Sequence, residues 1–230
     1  RVSATTGEVT LTAVGHTPFV STDVGRLVRL EWPGYEPGYG VISAYTSTSV
    51  VTLLVLRTMA YAAIGTQKWQ LGAWASAQGF PQAIGFFDGR LIAANTTEQP
   101  QSAWASQSDD LQNMRPDSWV AGAATIEDDD AINITLSSTR IDEIAWLADL
   151  RDLIIGTVGA QWAIDSAGAV ITPSDISAKL QSATAAADIS AAQSNQVALF
   201  LDRSRRELYE IGFSFDDQAY VTTLLTILAD

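Results

Sequence analysis

Three stretches of this chain follow one template: a polar residue, a short apolar run, a charged turn and a second apolar run. They are Gln82-Ala-Ile-Gly-Phe-Phe-Asp-Gly-Arg-Leu-Ile-Ala-Ala-Asn-Thr96, Glu143-Ile-Ala-Trp-Leu-Ala-Asp-Leu-Arg-Asp-Leu-Ile-Ile-Gly-Thr157 and Gln196-Val-Ala-Leu-Phe-Leu-Asp-Arg-Ser-Arg-Arg-Glu-Leu-Tyr-Glu-Ile-Gly212. Their first apolar runs start at Ile84, Ile144 and Val197, so the copies lie 60 and 53 residues apart. That spacing is close to one four-stranded propeller blade. Closing a propeller takes about four to eight blades, so three predict part of a larger assembly.

Composition sets the limits around this repeat. At 230 residues, 47% hydrophobic and 17% charged, the chain can bury one large β domain or two smaller ones. A formal charge of −13 opposes non-specific binding to nucleic-acid phosphates or anionic lipid. No window reaches the about 18 uninterrupted apolar residues of a membrane span, and no signal peptide is visible. The chain opens Arg1-Val2-Ser3 without an initiator Met, as an excised portion of a longer polypeptide would. Cysteine is absent, which removes disulfides, thiolate nucleophiles and Cys-based metal sites together.

Along residues 1–66, Val9-Thr-Leu-Thr-Ala-Val14, Leu27-Val-Arg-Leu30, Gly40-Val-Ile-Ser-Ala-Tyr45 and Val50-Val-Thr-Leu-Leu-Val-Leu56 read as strands broken by Gly, Pro and Asp turns. They predict a separate small barrel or sandwich. Residues 67–230 hold the blade repeats, with Gly65 to Gln78 as the link and Trp69 and Trp74 packed in it. Trp104 and Trp162 follow the first two copies as anchoring aromatics of outer strands. Ser174 to Asn195 reads as strand plus loop. Val221, Leu224, Leu225 and Leu228 stand at helical spacing and predict a short C-terminal helix. The expected fold is therefore all-β: a small β module, about three propeller-like blades and a terminal helix.

Several strings carry a resemblance. Leu11-Thr-Ala-Val-Gly-His-Thr-Pro-Phe-Val-Ser-Thr-Asp-Val-Gly-Arg-Leu-Val-Arg-Leu30 resembles a β-rich module named after the first catalytic-cysteine half-domain of ubiquitin-activating enzymes. Trp69-Gln-Leu-Gly-Ala-Trp74, Gly79-Phe-Pro-Gln-Ala-Ile-Gly-Phe-Phe-Asp-Gly-Arg-Leu-Ile92, Pro100-Gln-Ser-Ala-Trp-Ala-Ser106, Gln161-Trp162 before Ile171-Thr-Pro173, and Arg206-Glu-Leu208 before Leu224-Leu-Thr-Ile-Leu-Ala229 resemble the body of tail nozzle (tail tubular, or hub) proteins of short-tailed phages and related prophages. The resemblance implies a propeller with inserted β modules, assembled as a ring, commonly a hexamer, around the channel through which the genome leaves. It also implies a virion location, neighbours on the adaptor or portal side, and DNA that passes without specific binding. The ubiquitin-related module is a likeness of fold alone, because the chain has no Cys for a thioester and no Gly-rich nucleotide loop followed by Lys.

Each chemical motif has a plainer reading. His16, the sole histidine, sits in a Gly-His-Thr-Pro turn with no Gly-x-Ser-x-Gly elbow, so it reads as structural or exposed. The carboxylates Asp109-Asp110, Asp149 with Asp152, and Asp216-Asp217 fall in turns; adjacent carboxylates in a loop rarely face one point, against the pairing a propeller glycosidase needs. Glu127, Asp128, Asp129 and Asp130 lack the alternating spacing of a calcium loop and are the candidate channel-facing acidic loop. Arg203, Arg205 and Arg206 form the one dense basic run and are the candidate subunit contact. Seven Trp residues keep a carbohydrate-binding propeller open as the alternative, and a glycosidase as the second. The expectation is a non-enzymatic structural ring component with no cofactor and no metal.

Overall fold

The computed structural model describes residues 1–120, 122–138, 141–166 and 170–226. Among them the regular elements are antiparallel strands and one short 3-10 turn at Ser21–Asp23. Two compact units result: Arg1–Phe80 with Trp119–Thr125, and Pro81–Ser118 with Ile126–Asp230.

The first unit holds β1 (Glu8–Thr12), β2 (Leu27–Glu31), β3 (Gly38–Ser47), β4 (Val50–Arg57) and β5 (Lys68–Leu71). They form one sheet in the order β1-β4-β3-β2-β5. Because β1 and β5 are its two edges, the sheet is open and does not close into a barrel. Period-two alternation puts Val9, Leu11, Val28, Leu30, Ile42, Val51 and Leu53 on one face, and Phe19, Trp32 and Met59 from the loops complete that core. Strand β5 pairs with β2 from Val28↔Leu71 to Glu31↔Lys68, which carries the first unit past the expected limit at residue 66. The 3-10 turn is fixed by buried Asp23, which accepts from the Val20 amide at 2.9 Å and from Arg26 Nη1 at 3.0 Å. Next in sequence come the first strands of the second unit, β6 (Ala83–Phe87), β7 (Arg90–Ala94) and β8 (Ser102–Ala105), followed by a two-stranded ribbon, β9 (Ser118–Val120) and β10 (Ala123–Thr125), that falls largely in the first unit.

Three four-stranded antiparallel meanders build the second unit. Sheet 1 joins β6, β7 and β8 to β11 (Ile132–Thr135). Sheet 2 is β12 (Ile144–Asp149), β13 (Leu153–Thr157), β14 (Gln161–Asp165) and β15 (Ser177–Ser182). Sheet 3 is β16 (Ala192–Ser194), β17 (Val197–Leu201), β18 (Leu208–Ser214) and β19 (Ala219–Leu224). These are blade-like sheets, with Trp104 and Trp162 buried on the third strand of sheets 1 and 2. The repeat, however, marks a hairpin and not a fixed place in the sheet. It forms the first two strands of sheets 1 and 2 but the middle two of sheet 3, where β16 pairs ahead of β17.

Sheet 2 is the centre of the stack, and its sequence explains how. Ile144, Leu153, Ile155, Trp162 and Ile164 pack with sheet 1, while Trp146, Ala148, Ile154 and Ala163 pack with sheet 3. Ile144 and Trp146 would share a face in a regular strand; a register irregularity between them sends them to opposite sides. Burial on both faces is why β13 reads as the unbroken apolar run Leu153-Ile-Ile-Gly156. Sheets 1 and 2 come within 8 Å at their first strands, β6 and β12, and sheets 2 and 3 at their fourth, β15 and β19.

The expected C-terminal helix is overturned by β19, which pairs with β18 from Ser214↔Ala219 to Tyr209↔Leu224. Tyr220-Val-Thr-Thr is aromatic and β-branched, and burying Tyr220 against β18 outweighs the helical spacing of the leucines. Leu228 lies outside the described residues.

Candidate functional site

The turns at one end of the second unit's sheets are acidic, and each is built by its own local chemistry. Between β6 and β7 the two-residue loop Asp88-Gly89 has φ of 48° and 68°, the doubly left-handed turn that Asp-Gly favours and that matches strand twist. Its Asp88 carboxylate accepts from the Ile171 amide at 3.1 Å, and its Gly89 carbonyl accepts from the Asp109 amide at 3.1 Å. The β12–β13 turn with Asp149 and Asp152 stands at the same end: burial, and then the nearby Asp88, push the Asp149 carboxyl up. The β18–β19 turn with Asp216 and Asp217 joins them, since the Asp152 amide donates to Tyr220 Oη at 2.9 Å and the Arg151 guanidinium sits 4.4 Å over the Phe213 ring.

The acidic run Glu127 to Asp130 is held at this end by Arg90, a residue the sequence alone did not mark. Arg90 is 1% exposed, and its Nη1 donates to the carbonyls of Ser106 at 2.7 Å, Asp130 at 2.6 Å and Asp129 at 3.3 Å, while Nη2 donates to Asp128 at 2.7 Å. Burial lowers the guanidinium pKa below its ordinary value, and the carboxylates of Asp129, Asp88 and Asp130 offset that only in part. The one sequence signal was a cation entering the apolar strand Leu91-Ile-Ala-Ala94 directly after a tight turn.

The four acidic candidates part company here. Glu127, Asp128 and Asp129 are exposed, whereas Asp130 is fully buried and faces no open space. Asp130 Oδ1 accepts from Gln107 Nε2 and Ser118 Oγ, both at 2.8 Å, and Oδ2 accepts from the Glu127 amide at 2.8 Å. It closes the turn from inside, as a buried carboxylate with both oxygens accepting hydrogen bonds does.

Arg203, Arg205 and Arg206 stand at the opposite end, in the β17–β18 turn. Asp202 bridges Ala186, whose amide donates to the Thr157 carbonyl at 2.9 Å at the far end of β13 from Asp149 and Asp152. Asp202 organises the turn by accepting from the amides of Ser204 at 2.8 Å, Arg206 at 3.1 Å and Glu207 at 3.0 Å. Hydrogen bonds from the Ser204 side chain first, and then from these amides, hold its carboxyl down to about 2. Arg205 takes a left-handed φ of 59°, and all three guanidinium groups are exposed without an ion pair among the described residues.

His16 is exposed in its loop, in an open hollow lined with Thr17, Pro18 and Trp69. Between sheets 1 and 2 there is an apolar void of about 10 Å³ beside Ile92, Ala105 and Ile164, room for about one water. No group of three or more His, Asp or Glu side chains is arranged to hold a metal among the described residues. No known family model matches the chain, and no curated protein matches it.

Proposed function

We propose that this chain is a structural subunit of a ring surrounding a channel for nucleic acid, of the tail nozzle or hub kind in a short-tailed phage. The observation that carries the reading is the segregation of charge along the strands of the second unit, with exposed acidic turns at one end and, at the other, an arginine turn that has no ion pair among the described residues. A lumen lined by carboxylates repels phosphates, so DNA passes without being held. The end sheets of the stack support assembly: on sheet 1, Ile84 is 65% exposed and Phe86 59%, on the face turned away from sheet 2. In this reading the assembly is a homo-oligomer, a hexamer by the resemblance, resident in the virion and contacting adaptor-side and other tail proteins; it needs no catalytic group and no cofactor.

Replacing Glu127, Asp128 and Asp129 with Lys in the intact particle tests this. Slowed ejection or DNA trapped in the channel is the expected result, and unchanged ejection kinetics would contradict the acidic-lumen reading.

A second reading, a carbohydrate-binding module, is favoured by one observation in the first unit. Trp69 is 37% exposed beside the open hollow, and its ring is braced by Phe19 with centroids 6.2 Å apart. An aromatic face so placed can stack on a sugar ring. Titration with host surface polysaccharide, followed by tryptophan fluorescence in the native protein and in Trp69→Ala, decides it; a quench common to both would remove this reading.

A further inference from the structure

Where the β2–β3 connection leaves the first unit's sheet, two exposed tyrosines and an ion pair come together on rigid supports. Trp32-Pro-Gly-Tyr35 closes a tight turn: Pro33 fixes its own φ, Gly34 takes a φ of 79°, and the Tyr35 amide donates to the Trp32 carbonyl at 3.1 Å. The loop returns through buried Pro37 and Gly38, so close to the core that a Cβ at residue 38 would come 2.7 Å from Met59 Sδ. Tyr35 hangs on an aromatic ladder. Its ring meets Tyr61 edge to face with centroids 4.9 Å apart, and Tyr61 meets buried Trp32 at 6.3 Å.

Tyr39 is the second ring. On β3 it stands between its cross-strand partners, Arg29 of β2 and Arg57 of β4. Strict alternation after core-facing Leu53 and Val55 would turn Arg57 to the core as well; a bulge that leaves Leu56 unpaired places it opposite Tyr39 instead. There Arg57 forms an ion pair with Glu36, and on the other side Arg29 Nη2 lies 3.2 Å from Glu31 Oε1. Tyr35 and Tyr39 are 46% and 38% exposed, and the side chains of Arg57 and Glu36 are 32% and 36% exposed.

We propose that Tyr35, Tyr39, Glu36 and Arg57 form a binding site for a neutral oligosaccharide. A sugar ring offers an apolar C–H face that stacks on tyrosine, and hydroxyl groups that fit the planar donors of a guanidinium and the acceptors of a carboxylate. The loop and both rings are held in place before a ligand arrives, which lowers the ordering cost of binding. Charge selects the class of sugar. The two ion pairs cancel locally while the whole chain carries −13, so a neutral glycan is admitted and an acidic one is repelled. This site goes beyond the ring reading and is separate from the Trp69 hollow: Trp69 pairs with core-facing Leu30, on the opposite face of the sheet from Tyr39.

Isothermal titration calorimetry of the native protein with maltohexaose, cellohexaose and N-acetylchitohexaose, beside an acidic oligogalacturonate, tests the site. At least one neutral hexasaccharide should bind, and the acidic one should not. Tyr35→Ala and Tyr39→Ala should each weaken the neutral ligand by about tenfold, the loss expected for one stacking ring, whereas Trp69→Ala should leave it unchanged. Near-UV circular dichroism checks that each variant is folded. Glu36→Gln, which keeps the side-chain shape, replaces any alanine variant that is not, and should weaken binding by about threefold. No neutral hexasaccharide bound at about 10 mM, or an affinity indifferent to both tyrosine substitutions, would overturn the site. Binding lost in Trp69→Ala alone would overturn it in favour of the hollow. Dimers in sedimentation velocity that Tyr39→Ala dissolves, with no sugar bound, would assign the surface to a second copy and overturn the glycan.

Discussion

The indole of Trp146 lies against the backbone of Gly156, so close that a Cβ at residue 156 would come 2.1 Å from Trp146 Cε2 and 2.4 Å from Cζ2. The two are cross-strand partners on β12 and β13, and the ring fills the space that a side chain at 156 would take. This lets Trp146 pack flat under sheet 3, where its ring centroid is 5.4 Å from that of Phe200. Gly156→Ala should cost about 3 kcal/mol or more, because neither the backbone nor a ring that is 2% exposed can move aside. Urea denaturation monitored by near-UV circular dichroism measures it, and a loss below about 1 kcal/mol would mean the interface between sheets 2 and 3 is looser than described.

Arg90 and Asp130 hold the acidic turn from two sides. Arg90→Met should leave four carbonyl acceptors without their charged donor and destabilise by about 3 kcal/mol. Asp130→Ala should cost about 2 kcal/mol by stranding the Gln107, Ser118 and Glu127 donors. Replacing exposed Asp128 with Ala should be within about 0.5 kcal/mol of neutral, since its side chain is not part of the staple. Hydrogen exchange across residues 127–131 should rise sharply in the first two variants and stay near native in the third.

Tyr220 predicts a loss of stability in alkali. Burial pushes its hydroxyl up from the ordinary 10.0, so above that pH the unfolded chain gives up a proton that the folded chain keeps. The unfolded state then binds fewer protons, and stability falls as pH rises beyond about 10. Tyr220→Phe should lose about 1 kcal/mol at neutral pH, because the Asp152 amide loses its acceptor, yet fall less steeply in alkali. Denaturation midpoints of both proteins across pH 8 to 11 compare the slopes.

Asp202 predicts the opposite dependence, in acid. Its carboxyl is held down to about 2, so its contribution is complete above the ordinary carboxylate value of about 4 and is lost as pH falls through 2. The Arg206 and Glu207 amides should lose protection over that window while the β13 amides keep theirs. In Asp202→Asn the turn amides should be less protected at neutral pH and show no such step.

The hairpins were legible because apolar alternation around a charged turn is a local signal, and Asp88-Gly89 names its own turn type. The open sheet of the first unit was not, since whether β1 and β5 meet depends on edges remote in sequence. Strand β16 was hidden because Ala192-Gln-Ser194 is short and exposed, with nothing more apolar than Ala192 to mark it. The terminal segment misled because Val221, Leu224 and Leu225 fit a helical stripe as well as a strand, and only pairing with β18 decides between them. At the acidic end, Asp128, Asp129 and Asp130 are chemically identical and adjacent. Which one turns inward is set by a backbone turn that Arg90, some forty residues earlier, holds through carbonyl groups that leave no trace in side-chain identity.

The most direct test of the account is electron microscopy of the native assembly. The account predicts a closed ring in which Glu127, Asp128 and Asp129 of every copy approach a central channel. Copies that surround no channel, or a ring with these acidic turns on its outer surface, would contradict it.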